Sequence, residues 1–312
     1  MADPVSDASS NPRIGGLALS YVMLLGAAAV FGLMPSLNRL AVTNGVPPID
    51  FAFWYAATGV GFATVACLLT RRRPGHSVAH IRTYLLMGGF GLALPMVTLN
   101  FVAPHIPASV VALIIALTPA MTYFYALFLR LDRLNPSSLL GLVAGFAGVA
   151  VLAIFGGSES QANTVAWLLI ALAAPAMFGL ANVYAAKFAP PASPPLTLAL
   201  GQMAGGAVLL APVVFFSGSV YRPGSSGFGT GEVSILLGGL VIVTLITLFY
   251  EIVRREGPVF FSQFTYLNVV TGVLWAVLIF AESLTVIFGA ALALMALGLV
   301  LVNRGSAKAD AS

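Results

Sequence analysis

Charged side chains are what this chain has least of. Asp, Glu, Lys and Arg make up 8 % of its 312 residues and hydrophobic residues 59 %, against roughly a quarter charged in a soluble domain. No water-soluble fold of this length carries that balance, so the chain is expected to cross a membrane many times. Cysteine is almost missing. Cys67 stands alone inside an apolar run, which excludes a disulfide framework and any thiol–metal spacing. No Gly-rich loop is followed by Lys-Ser or Lys-Thr, so nothing points to ATP as a direct driver. His76, His80 and His105 all fall in expected loops. The i, i+4 spacing of His76 and His80 lies among arginines that oppose a cation, and neither a metal nor another cofactor is expected. The formal charge of +4 is mostly arginine; in so apolar a chain basic residues set orientation rather than bind nucleic acid.

What is abundant is long apolar runs. Nine stretches lack Asp, Glu, Lys and Arg, from Ile14–Asn38 to Ser283–Asn303. A span needs roughly 20 apolar residues, and Thr83–Leu129 is long enough for two, broken at Pro104–Pro107. The expectation is an all-α membrane protein of ten transmembrane helices. Residues 1–13 read as a disordered cytoplasmic N-terminus and 305–312 as a cytoplasmic tail. The Gly- and Ser-rich Ser217–Glu232 segment reads as a flexible connector. With the N-terminus inside, twelve of the fourteen basic residues fall on inner loops and only Arg39 and Arg222 on the outer side. That places both termini in the cytoplasm of a cell with this protein in its inner membrane.

The chain also repeats itself. An offset of 147 carries Leu25, Ala27, Ala29, Phe31, Gly32 and Leu33 onto Leu172, Ala174, Ala176, Phe178, Gly179 and Leu180, and Gly59 onto Gly206. An offset near 150 carries Gly88 and Gly89 onto Gly238 and Gly239, Leu117 onto Leu267, and Asp132 onto Glu282. Two homologous units follow, 14–158 and 159–304. Five helices is an odd number, so the second unit enters the membrane upside down. Inverted repeats with a site at their interface recur in secondary transporters.

With these residues the chain resembles a drug/metabolite transporter of the ten-helix kind built from two EamA-type repeats. Phe31-Gly32 and Phe178-Gly179 are similar to the family's Trp-Gly motif, with Phe for Trp. A Pro opens each second helix, Ala108-Ser109 and Leu117-Thr118-Pro119 mark the fourth helix, and Asp132 and Glu282 stand where the family has Gly-Glu. The resemblance implies a central cavity between the repeats, alternating access, and frequent efflux of amino acids or small metabolites.

Polar side chains at membrane depth are the candidate substrate contacts, since they cost free energy unless they face partners or a wet cavity. Thr118 and Asn268 are related by the repeat. Thr118, Thr122 and Tyr125 share one helix face; Asn268, Thr271 and Trp275 share another, and facing each other they would receive an amphipathic solute. Hydrogen bonding between helices is the competing role. Asn182, Tyr184, Gln202 and Gln263 fall in the inner half, where a vestibule would open. Trp54 reads as an interfacial anchor sooner than a ligand stack. Arg39 either pairs with Asp50 as an outer gate, attracts a substrate carboxylate, or is simply solvated. Glu251 is expected to pair with Arg254 and Arg255. Pro35 and Pro119 are the expected hinges. Gly141, Gly145 and Gly148, and Gly289 with Ala293, offer small faces for packing within a monomer or between copies of a homodimer. No acid or histidine lies deep in a helix, which favours facilitated diffusion or exchange over tight proton coupling. A small-molecule transporter is the expected function, with uptake, exchange or a non-transporting scaffold as alternatives. An enzyme acting on lipid would need a catalytic cluster at depth, and none is visible.

Overall fold

The computed structural model describes residues 12–130, 134–155, 161–188, 190, 193–216, 220–225, 227–262 and 264–309. The elements are α1 (Pro12–Gly32), α2 (Met34–Thr43), α3 (Pro48–Leu69), α4 (Val78–Gly88), a π-helical turn (Gly89–Ala93), α5 (Leu94–Val102), α6 (Ala108–Ile115), α7 (Thr118–Phe128), α8 (Pro136–Phe155), α9 (Gln161–Ala171), α10 (Ala173–Phe188), α11 (Pro195–Phe216), α12 (Thr230–Ser262), α13 (Phe264–Phe280) and α14 (Val286–Ala309). Among the described residues, seven stretches are long and apolar enough to cross a membrane, and Pro136–Leu152, Phe264–Phe280 and Val286–Leu301 are shorter apolar helices. The molecule is an all-α membrane protein.

Proline sets the breaks. Within a helix it lacks the N–H that would bond the carbonyl four residues back. The first span breaks at Leu33 ahead of Pro35, the fourth between Ile115 and Thr118 ahead of Pro119, and the sixth at Leu172 ahead of Pro175. The third instead widens into the π-helical turn ahead of Pro95. Pro212 and Pro258 sit inside unbroken helices, α11 and α12. Pro48 and Pro195 open α3 and α11, where a missing N–H goes unnoticed.

The repeat is written into the helix crossings. A Cβ on Gly32 of α1 would stand 2.8 Å from the amide nitrogen of Gly272 on α13; one on Gly179 of α10 would stand 2.8 Å from the nitrogen of Thr122 on α7. Thr122 and Gly272 are themselves repeat equivalents by the offset of 150. A Cβ on Gly59 would lie 3.3 Å from the Gly239 carbonyl, and one on Gly206 would lie 3.2 Å from the Gly88 carbonyl. Each glycine lets a helix of one repeat touch the backbone of the other repeat. The small face of α8 is used within the chain: a Cβ on Gly298 of α14 would stand 2.6 Å from the Gly141 carbonyl and 2.8 Å from the Gly145 nitrogen. Gly298 and the Ala291 carbonyl are what α14 presents to this face, whereas a Cβ on Gly289 would meet open space.

Three other expectations change. α12 runs through Arg254 and Arg255 to Ser262, because a helix end lying at the interface can continue past charges. α14 runs to Ala309, so part of the expected tail is helical. The connector after α11 is tied down: Glu232 accepts from the Tyr221 hydroxyl and from the amides of Gly224 and Gly229.

Candidate functional site

At one end of the bundle the expected Arg39–Asp50 pair does not form. The Arg39 guanidinium lies over the Phe280 ring, 4.5 Å from its centroid, and its Nη1 donates to Glu282 Oε1 at 2.6 Å. Packing of α2 on α13 brings them together. Ala281, in the left-handed region at φ 50°, turns the chain off α13 just before Glu282. The carboxylate also accepts from the Ala108 amide at 2.9 Å, the Ser109 amide at 3.2 Å and the Ser109 hydroxyl at 2.5 Å. α6 begins after Pro107, which offers no side-chain cap, so Glu282 supplies the anion that a helix N-terminus favours. Asp50 is buried and accepts instead from the Tyr221 amide at 2.8 Å. The Trp54 indole donates to the Tyr221 carbonyl at 2.9 Å, so it holds this loop. Burial, with the hydrogen bond and charge of Glu232, pushes the Tyr221 phenol up to about 12, keeping it a donor across the physiological range.

Toward the other end, a polar layer joins the repeats by long contacts. Gln202 of α11 donates to the Gly91 carbonyl and accepts from the Tyr250 hydroxyl, both at 3.4 Å. Gly91 is the residue whose helical partner Pro95 removes, which leaves its carbonyl free for a side chain. The Thr83 and Tyr184 hydroxyls are 3.4 Å apart, and Asn182 donates to Thr122 at 3.3 Å. The Tyr84 ring packs on Gly201, the residue before Gln202, leaving no room there for a Cβ. Shorter contacts close the far end: Ser20 to Glu256 at 2.6 Å and His80 to Ser193 at 2.7 Å. There Glu251 pairs with Arg254 and Arg255, as expected.

The expected residues thus separate. The structure brings together Thr122 with Asn182, and Gln202 and Tyr184 with the tyrosine layer. Thr118 closes on the Ile115 carbonyl at 2.6 Å, the one that Pro119 leaves free, and Tyr125 is half-buried beside Phe124. α13 lies against α1 and α6, whereas α7 lies against α10, α8 and α14. Thr271 and Trp275 accordingly donate to the Ala28 and Ala29 carbonyls of α1 at 2.7 and 2.9 Å. Asn268 stays buried with an unpartnered amide oxygen. Gln263 and Asp132 lie outside the described residues. The residues that sequence reasoning missed are Glu282 as the partner of Arg39, and Thr83, Tyr84 and Tyr250. A helix start with no capping side chain and a Pro four residues after Gly91 were the available signals.

The comparisons place this geometry. The EamA-like transporter family matches over residues 18–154 and 165–304. The chain belongs to this family. This EamA-like protein is 30 % identical over 114 residues to a probable terminal-alkyne amino-acid exporter of Streptantibioticus cattleyicolor, covering 36 % of this chain and 37 % of that protein. It is 25 % identical over 146 residues to a WAT1-related protein of Arabidopsis thaliana, covering 44 % and 40 %. The matches thus span about two fifths of each curated relative. A solved crystal structure superposes with a TM-score of 0.61, covering 93 % of this chain and 97 % of that one at 18 % identity. As a likeness it speaks for the fold alone.

Proposed function

We propose that this EamA-like protein is a secondary transporter that moves a small amphipathic metabolite, an amino acid or a similar organic solute, outward across the inner membrane. Both termini are cytoplasmic in this reading, and the solute passes between repeats 14–158 and 159–304 by alternating access. The observation that carries it is the layer of Thr83, Tyr84, Tyr184, Gln202 and Tyr250. Its contacts, between Thr83 and Tyr184 and from Gln202 to the Gly91 carbonyl and Tyr250, are 3.4 Å long, at the weak limit of hydrogen bonding, while the shortest contacts at either end are 2.5–2.9 Å. Groups held loosely between two tightly closed ends can exchange partners with a passing solute. The Arg39–Glu282 contact serves as the outer gate, the Ser20–Glu256 and His80–Ser193 contacts as the inner one, and Pro35 and Pro119 as hinges. The amino-acid exporter among the relatives supports the substrate class and the direction.

Flux of labelled amino acids, cations and nucleosides from proteoliposomes tests the reading. Gln202→Leu and Tyr250→Phe are expected to slow transport of the accepted solute at least tenfold at unchanged yield of folded protein. Thr118→Ala and Asn268→Ala, run alongside, ask whether the site reaches those residues. A panel in which nothing crosses ends the transporter reading.

A further inference from the structure

Where α1 breaks, a groove of about 360 Å³ opens on the flank of the bundle, with one repeat on each side. Ala29, Val30 and Leu33 of α1 form one wall; a face of α12 down to Thr244, with Trp275 of α13, forms the other. None of its lining residues is charged. Leu237 and Leu240 on α12 are exposed, so the groove is open sideways. Leu33 and Thr244 lie near the middle of their spans, Ala18–Thr43 and Thr230–Glu256. At that depth the open side meets hydrocarbon, not water. The break also sets the polar groups here. The Leu33 amide bonds the Val30 carbonyl, three residues back, at 3.3 Å, which releases the Ala29 carbonyl that a regular α-helix would give it. The Trp275 indole donates to that carbonyl at 2.9 Å, so this group is satisfied. Thr244 is different. Thr98, Thr122 and Thr247 return their hydroxyls to the carbonyl four residues back, whereas the Thr244 hydroxyl makes no hydrogen bond among the described residues. A hydroxyl facing hydrocarbon without a partner costs free energy.

We propose that this groove binds an uncharged lipophile taken from the bilayer, a hydrocarbon chain carrying a hydroxyl that pairs with Thr244. Three observations select that class. The open side faces hydrocarbon, so the occupant arrives dissolved in the membrane. The lining holds no charge, and a charged head at this depth would lack a counter-ion. Apolar walls alone would take any chain, as the flank of any membrane protein does; the Thr244 hydroxyl favours one that brings an oxygen. The volume suits a small ligand, and none of the lining residues belongs to the Gln202 layer or to the Arg39–Glu282 latch. A chain seated here lies between α12 and the last turn of α1, against the joint at Leu33. Binding of this kind stands or falls without the transporter reading.

The test is quenching of Trp275 emission in the full chain carrying Trp54→Phe and Trp167→Phe, which leaves Trp275 as its one tryptophan. The protein is reconstituted in phosphatidylcholine vesicles and titrated with ω-bromooctanol or with bromooctane, because bromine quenches an indole only at close range. The alcohol is expected to quench saturably, half-maximal at a membrane mole fraction at least fivefold below that of the bromoalkane. Thr244→Ser should keep that preference and Thr244→Val should lose it. Ala29→Phe, placed on an exposed position of one wall, should fill the groove and remove the saturable part. Leu240→Phe does the same from the other wall, so the test survives if one filler fails to fold. Quenching that rises in proportion to mole fraction for both probes marks ordinary boundary lipid and overturns the site. A preference for the alcohol kept in Thr244→Val overturns the ligand class, and saturation unchanged in both folded fillers overturns the location.

Discussion

The two repeats agree in their glycines and part company in their charges. Gly32 meets α13 as Gly179 meets α7, and the Gly59–Gly239 crossing is answered by Gly206–Gly88. Arg39 has no such twin, because the offset of 147 carries it onto Ala186. Nor do the buried polar atoms without a partner match: those of Ser36, Asn38 and Asn100 fall by the offsets on Val183, Ala185 and Tyr250, while the second repeat carries its own on Asn268. Duplication has therefore kept what sets backbone approach and left the polar groups free to diverge. Backbone contact tolerates no side chain in either copy, whereas a gate or a solute needs different chemistry at each end of the path.

The largest effect should come from breaking the shared part. Gly32→Val and Gly179→Val each push a branched side chain into backbone atoms 2.8 Å from the first added carbon. Backbone on the facing helix cannot yield as a flexible side chain does, so each should cost about 3 kcal/mol or more and abolish the folded peak on size exclusion. Gly26→Ala, with open space around it, should fold at least as well as the parent. If one of the two Val variants folds normally, the glycine contacts are not equivalent and the symmetry argued from them fails.

The latch tests the part that is not shared. Arg39 and Glu282 side chains are 30 % and 11 % exposed, so solvent screens the pair and its loss should cost about 1–2 kcal/mol. Arg39→Ala and Glu282→Gln should lower the unfolding midpoint, and the double variant should fall by less than the sum. A gating role adds a second readout. With Cys67 replaced by Ala, a Ser36→Cys reporter should react several-fold faster with a membrane-impermeant maleimide when Glu282 is Gln. An unchanged labelling rate would leave Glu282 a helix cap and nothing more.

How much could be read from the chain follows the same division. The apolar runs, the offset and the prolines that open α3 and α11 announce the spans, and Pro35, Pro119 and Pro175 announce the breaks. Helical periodicity also placed Gln202, Tyr184 and Asn182 toward one end. It could not find the partner of Arg39, which lies 243 residues away, because spacing along one helix carries no information about which helix lies opposite. Asp50 was the nearer acid in sequence, yet the loop amide of Tyr221 claims it. The π-helical turn escaped for a related reason: Pro95 announces a disturbed ladder but not whether the helix breaks or widens. The same limit set Thr271 and Trp275 opposite α7, when α13 packs on α1.

The smallest prediction returns to a place where the repeats nearly match. Arg130, after α7, and Ala281, after α13, both turn the chain with positive φ, at 54° and 50°, and by the offset of 150 they fall one residue apart. Glycine is the usual residue there because a Cβ is strained by about 1 kcal/mol. Ala281→Gly should thus stabilise the protein by up to about 1 kcal/mol, less whatever glycine's freedom in the unfolded chain takes back. Arg130→Gly should do much the same if the turns are equivalent. Labelling separates them. Ala281 aims Glu282 at Arg39 and Ala108, so loosening it should speed labelling of the Ser36→Cys reporter even as the midpoint rises. Arg130→Gly should leave that rate alone. Equal labelling in the two variants would mean that the latch draws nothing from the stiffness of the turn beneath it.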